Sequence, residues 1–318
     1  MSDQPFIYQP GQPRMKKGFS ISLFGGFLPI LLLAVTLTFT SQIVGAQSEL
    51  ATASTLRAKL EELAPRLKKN QFDRPIYLNS EELSNQLKGD IYALIDAPFD
   101  MVRRAMVDAD NWCDVLILHL NTKHCKASLS NGNKKLWVSI GKKTYEELDH
   151  LSPIEFSFSP TQSTPEFFDI LLAAKSGPLG TSDYRIQLEA VSNKSGGTFL
   201  HLNYSYAYNY FGLIAMQTYL ATIGRGKVGF TQTHKPPGTT PDYISGMRGV
   251  VERNTMRYYL AIDAYLDSLE SPEKDQVQKR LDQWFSSTEL YRRQLHELDR
   301  DDYLSMKHQE YARMKSLH

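Results

Sequence analysis

The chain has 318 residues, 42% of them hydrophobic and 22% charged, with a formal net charge of +1. That length holds one sizeable core with attachments, or two small domains. Setting aside Arg14, Lys16, Lys17 and Asp3 leaves basic and acidic side chains in balance, so bulk electrostatics gives no reason to bind nucleic acid.

Residues 1–14 are polar and proline-rich. Arg14, Lys16 and Lys17 then precede a mostly apolar run over 21–39, and Val44, Gly45 and Ala46 follow as small residues, the pattern of a targeting signal. The apolar run approaches the ~20 residues that span a bilayer. It therefore reads as a signal peptide over 1–46, cleaved before Gln47, or as a retained inner-membrane anchor. In either case the basic flank stays inside and the bulk of the chain is exported to the periplasm.

Residues 47–88 read as a helical arm. Leu50, Leu56, Leu60, Leu63 and Leu67 are spaced for one helix face, with Pro65 expected to kink or end the helix. Asn79 or Ser80 then looks like the cap of a short second helix, with Glu81 and Glu82 in its first turn.

From Gly89 the pattern changes. Ile91, Ala93 and Ile95 alternate as a strand, Pro98 breaks it, and two short helices are predicted over 99–107 and 111–120. Strands follow at 123–129 and 135–142, around the turn Asn131-Gly132-Asn133. Alternation at Ile154, Phe156 and Phe158, then at Phe168, Ile170 and Leu172, then at Tyr184, Ile186 and Leu188 predicts three more. The longest predicted strand, 198–210, puts Leu200, Leu202, Tyr204, Tyr206, Tyr208 and Tyr210 on one face, and mostly small or polar residues on the other. That division suits an antiparallel sheet with one covered face.

Residues 211–223 read as an inserted apolar helix. Without a flanking basic stripe it is expected to be buried rather than interfacial. The long helix of the chain spans 246–269. Met247, Val250, Val251, Asn254, Tyr258, Ala261, Ile262, Tyr265 and Leu269 share one stripe, while Met256, Tyr259, Leu260 and Leu266 make the opposite side apolar too. A helix apolar on most sides is sandwiched. The charged, helical stretch past Pro272 carries Trp284, Phe285, Tyr291, Leu295 and Tyr303, and is a candidate cover for the outer side of the long helix.

The order strand, two short helices, antiparallel strands and long C-terminal helix is similar to the helix-grip fold of the START and polyketide-cyclase-like superfamily. Ile95-Asp-Ala-Pro-Phe-Asp-Met-Val102, with Asp108 and Trp112, resembles that superfamily's first strand–helix junction. The resemblance spans roughly 89–270, leaving 271–318 as a C-terminal helical extension. It implies an α+β fold in which a curved antiparallel sheet wraps around the long helix, with flanking helices. It also implies a cavity between sheet and helix for an apolar ligand. Asn254, Arg257, Tyr258, Tyr204, Tyr206, Tyr208, Phe156 and Tyr184 are the residues expected to face it.

Three functions are open to such a chain. The first is a non-catalytic carrier of a hydrophobic, lipid-like or polycyclic molecule, with possible membrane contact. The second is a cyclase- or hydrolase-type enzyme using Tyr204, Tyr206, Asn254 and His201. The third is an envelope partner protein with a collapsed cavity. No G-x-S-x-G elbow or H-E-x-x-H is present, and residues 224–229 depart from a phosphate loop. No cofactor is implied. Cys113 and Cys125 are expected to form a disulfide in an exported chain; metal binding with His119 and His124 fits no usual zinc spacing. Arg253 and Arg257 are expected on a solvated face, paired with Glu252 and Asp263.

Overall fold

A computed structural model describes residues 52–130, 132–233 and 242–316. The N-terminal apolar segment and Leu50 lie outside the described residues.

Helix α1 (Ala53–Lys68) is capped by Thr52, whose hydroxyl accepts the N–H of Thr55, and it runs through Pro65 rather than ending there. Strand β1 (Ile76–Glu82) occupies the place where a second short helix is predicted. The acidic pair that resembles a helix first turn is the exposed end of this strand, and Ser80 is buried against the long helix instead of capping anything. Strand β2 (Gln86–Ile95) leads across Pro98 into α2 (Phe99–Met106), and Asp108 caps α3 (Ala109–Leu116). Six strands follow: β3 (Thr122–Ser130), β4 (Asn133–Ile140), β5 (Ser152–Ser163), β6 (Phe167–Ser176), β7 (Thr181–Ser192) and β8 (Thr198–Tyr208). After β8 come α4 (Tyr210–Ala221), the short strands β9 (Gln232–Thr233) and β10 (Asp242–Tyr243), and the long helix α5 (Gly246–Ser268). The chain ends in α6 (Glu273–Glu289), α7 (Arg292–Leu295) and α8 (Arg300–Ser316).

The eight long strands form one antiparallel sheet in the order β1-β2-β8-β7-β6-β5-β4-β3. Register shifts between Thr122 and His124, Pro160 and Gln162, and Ser182 and Arg185 mark bulges, where an antiparallel strand bends. Helix α5 lies over β1, β2 and β8, and α3 and α6 pack on it as well. This is the helix-grip architecture, an α+β sheet gripping its last core helix. Leu87, Ile91, Leu188, Leu200 and Leu202 meet Val251, Tyr259 and Ile262 in one core. Gly89 is required where α5 comes closest, because a Cβ there would lie 2.2 Å from Oγ1 of Thr255. On the far side of α5, Nε1 of Trp284 donates to the carbonyl of Arg257 at 3.2 Å. The sandwiching predicted for α5 is thus observed.

The other sheet face is covered near α1, although Trp137, Glu155 and Ser157 of β4 and β5 remain exposed. Leu56, Leu63 and Leu67 of α1 pack with Phe167, Val191 and Phe199 as a second, smaller core. Beside it, His201 stacks on Tyr92 at 4.1 Å between ring centres, 2° from parallel. Its Nδ1 meets Glu189 at 2.7 Å and its Nε2 meets Asp90 at 2.9 Å, and Asn203 donates to the same Asp90 oxygen at 2.8 Å. The polar alternation on β8 therefore encodes a buried ion network rather than a wet face.

The C-terminal extension is anchored by charge. Nζ of Lys123 on β3 meets Glu310 of α8 at 2.9 Å, and Lys307 reaches the other oxygen of Glu310 at 2.8 Å, all fully buried. Lys307 also donates to the carbonyls of His119 and Thr122, and Arg313 to that of Lys123.

Cys113 and Cys125 form the expected disulfide, joining α3 to β3 with Cα atoms 5.2 Å apart. Replacing both by alanine is expected to lower unfolding stability by about 2–4 kcal/mol, read from denaturant midpoints of the oxidised chain and the double variant. Equal midpoints would show that the bond adds nothing.

A second expectation concerns His201. Burial alone would lower its pKa, but the hydrogen bonds to Asp90 and Glu189 outweigh burial and raise it. A group raised on folding contributes stability that is complete below its unfolded pKa, about 6.5, and lost as pH rises through the folded value. The Lys307 ammonium, which burial pushes down to about 8, has the opposite slope in alkali. The informative quantity is therefore wild type minus His201→Gln. That stability difference should shrink as pH rises above about 6.5, and melting curves in which it stays constant or grows contradict the assignment.

Candidate functional site

The site forms where α5 leaves the sheet uncovered. Val250, Asn254 and Tyr258 follow one another at helical spacing, and each lines a cavity. One cavity, about 150 Å³, lies under α3, β4 and β5 and is lined by Leu116, His119, Val138, Ile154, Phe156, Tyr184, Ile186, Tyr204, Asn254 and Tyr258. The other, about 270 Å³, lies beneath α4 and the turn at 178–180, and is lined by Leu179, Tyr206, Gly212, Ala215, Met216, Tyr219 and Val250 among others. Pro178, Tyr184, Tyr204 and Asn254 belong to both walls, so the two spaces are lobes divided by shared side chains.

Aromatic rings form that divide. Centroid distances are 5.0 Å from His119 to Tyr258, 5.0 Å from Tyr258 to Tyr204, 5.5 Å from Tyr204 to Tyr206 and 5.3 Å from Tyr206 to Tyr184. The Tyr184 hydroxyl donates to Oγ1 of Thr181 at 2.9 Å. Those of Tyr204, Tyr206 and Tyr258 have no hydrogen-bond partner among the described residues. Burial pushes all three phenols up, Tyr204 most firmly, so they are neutral groups able to donate or accept.

Asn254 accepts a hydrogen bond at its Oδ1 from Nη1 of Arg257 at 3.4 Å. Arg257 is itself buried, with Nη2 on Glu297 at 2.8 Å and on the carbonyl of Leu295. Lys143 and Lys227 reach Glu297 as well, at 2.8 and 3.2 Å. Burial would raise the Glu297 carboxyl, but Arg257 and the lysines hold it below the ordinary carboxylate value.

Of the residues expected from the sequence, the structure brings Asn254, Tyr258, Tyr204, Tyr206, Phe156 and Tyr184 to the cavity walls. Arg257 stands behind Asn254, and Tyr208 is buried on β8 outside both linings. Tyr210, expected to continue that strand, begins α4 instead.

Four expectations need correction. Arg253 and Arg257 are buried, not solvated. Glu252 is turned to the 230–231 segment and Ser80, and Asp263 pairs with Arg74 at 2.7 Å; these carboxylates leave α5 in other directions. His201 lies on the opposite sheet face from Tyr204 and Tyr206, because residues of a strand alternate. Helix α4 is not buried: Tyr210 is 71% exposed and Phe211 74%. The glycine between them and Leu213, Gly212, is its buried contact, where a Cβ would come within 2.9 Å of the Gly180 carbonyl.

His119, Pro178 and Leu179 escape a sequence reading. His119 lies in the irregular stretch after α3, and Leu179 takes φ 55° on an exposed turn. The signals were a lone histidine and a Gly-Pro turn, neither of which points inward by itself.

No protein-family model matches the chain, and no curated protein does. Among solved structures, it is similar to human StAR-related lipid transfer protein 5 at 7% identity, over 69% of this chain and 98% of that one, with a TM-score of 0.34. It is similar to the Zhui aromatase/cyclase of a Streptomyces species at 10% identity, over 65% and 95%, with a TM-score of 0.31. Norcoclaurine synthase from Thalictrum flavum aligns at 12% identity over 47% and 79%, with a TM-score of 0.29. At such identities the likeness is one of fold, and the helix-grip architecture stands on the strand order and the seat of α5.

Because Asn254 makes one long hydrogen bond among the described residues, Asn254→Leu should alter unfolding stability by less than about 1 kcal/mol. Arg257 keeps Glu297 and Leu295 in the variant. A denaturant midpoint corresponding to a loss of about 3 kcal/mol or more would mean that Asn254 is a required core amide.

Proposed function

We propose that this protein binds a hydrophobic molecule in the two-lobed space between α5 and the sheet, and carries it rather than transforming it. The observation that supports this most directly is the lining itself: apolar side chains and neutral phenols surround the space, and three of those phenols and the amide nitrogen of Asn254 lack partners among the described residues. Apolar walls with a few convergent polar groups are what small-molecule sites have in common. The basic and apolar pattern over residues 14–46 supports a periplasmic location for the carrier. The outward display of Tyr210, Phe211 and Ile214 on α4, beside the second lobe, suits collection of cargo at an apolar surface such as a membrane.

The reading is tested by native mass spectrometry of the protein purified from its host. A co-purifying lipid or polycyclic compound supports it. A ligand-free chain that also fails to bind a hydrophobic dye supports instead an envelope partner protein. A variant adds a second readout. Ala215 faces the second lobe from α4, outside the main core. Ala215→Trp should fill that lobe and weaken dye binding by about tenfold or more, while melting close to wild type. Unchanged dye affinity would move the binding site elsewhere.

A further inference from the structure

The cavity carries a chemical bias. Asn254 is held from one side only: its Oδ1 accepts from Arg257, and a guanidinium can only donate, which fixes the orientation of the amide. The Nδ2 end is then what Asn254 offers to both lobes, and it has no partner among the described residues.

His119, on the wall of the first lobe, is biased the same way. Its Nδ1 accepts the backbone N–H of Asn121 at 3.2 Å, so the proton of the neutral ring sits on Nε2, which is buried and unpartnered. Burial, with Arg257 and nearby lysines, keeps that ring neutral. Asn254 and His119 thus both present donors, whereas Asn121, also on the wall of the first lobe, gives its Nδ2 to the Gly141 carbonyl at 2.7 Å and keeps Oδ1 as an acceptor.

The surrounding charge is predominantly positive. Arg257, Lys143 and Lys227 share the single carboxylate of Glu297. Arg253 is buried, donates to the carbonyl of Val228 at 3.2 Å, and has no carboxylate partner among the described residues. Glu252, the adjacent acid, is occupied by Ser80, Phe230 and Thr231. Cations outnumber acids behind Asn254, and their field is weakly screened in a buried site.

We infer that the ligand is an apolar molecule ending in an anionic oxygen, of which a carboxylate is the simplest form, with that oxygen seated against Nδ2 of Asn254 in front of Arg257. This rests on the ligand-binding reading above. An ammonium head group would meet N–H donors and like charge at the same place, and an uncharged hydroxyl would gain the hydrogen bond without the field.

The test holds the apolar part constant and varies the head. Dodecanoate, dodecanol and dodecylammonium compete for the full chain against a bound neutral dye, Nile red. Dodecanoate should displace the dye at a concentration at least about tenfold lower than dodecylammonium, with dodecanol between them. Asn254→Asp should narrow or reverse that order, and its melting curve shows whether it is folded. Dye binding with no preference among the three, with the ammonium tightest, or with no displacement by any, overturns the head-group inference and leaves the cavity standing. Failure of the wild-type chain to bind the dye or any of the three overturns the cavity reading and the inference together.

Discussion

One buried carboxylate sets where the long helix sits. Glu252 is fully enclosed, and a charge so placed persists only if its lone pairs are filled. Its Oε1 accepts from the hydroxyls of Ser80 and Thr231 at 2.6 Å each, and its Oε2 from the N–H groups of Phe230 and Thr231 at 2.5 and 2.9 Å. Edge strand β1, the segment before β9 and the first half of α5 are fastened at one point. The fit leaves no room for a side chain at Gly229, where a Cβ would come within 2.4 Å of the same carboxylate. With that face of α5 committed, Val250, Asn254 and Tyr258 are turned toward the open part of the sheet, and the cavity follows from the clamp.

The other buried charges act as locators in the same sense. Lys123, Lys307 and Glu310 have no exposure, and taking such groups out of water offsets much of their mutual attraction. Their effect is geometric: α8 can dock on β3 in the one register that satisfies both ammonium groups. Glu297 does this for the cations behind Asn254. The fold therefore places a saturated ionic group where α8 docks on β3 and where the segment after α7 meets α5.

Much of this architecture is legible in the sequence, because it follows from local periodicity. Alternation located β2 to β8, Pro98 located the break before α2, and the doubly apolar pattern of α5 announced its sandwiching. What failed was whatever depends on a partner distant in the chain. Ser80 with Glu81 and Glu82 looks like a helix start until Glu252, far along the sequence, is known to require the Ser80 hydroxyl. His201 and Asn203 look like a solvated face because nothing local announces that Glu189 and Asp90 flank them. Arg257 has acids near it in sequence, but its acceptor is Glu297, in a tail with its own helical pattern. Helix α4 misled in the opposite direction. Its apolar composition implied burial, yet the contact at Gly212 fixes one side of it and leaves its aromatic residues outward. The cavity residues were recognisable as a set through the helix-grip resemblance, but their division into two lobes depends on Pro178, Tyr184, Tyr204 and Asn254 meeting from three separate parts of the chain.

The contacts of α8 with β3 have a consequence for how copies of this chain meet. Strand β3 is the last in the sheet, and an open last strand is a template on which another chain can add a strand of its own. Here side chains stand in for that missing neighbour. Arg313 supplies a donor to the carbonyl of Lys123 and Lys307 one to the carbonyl of Thr122, while the rest of α8 fills the space beside them. The C-terminal helix is in this respect a guard on the sheet's rim. It withdraws the start of β3, at Thr122 and Lys123, from strand addition by another copy, a property of the tail that is separate from anything the cavity holds.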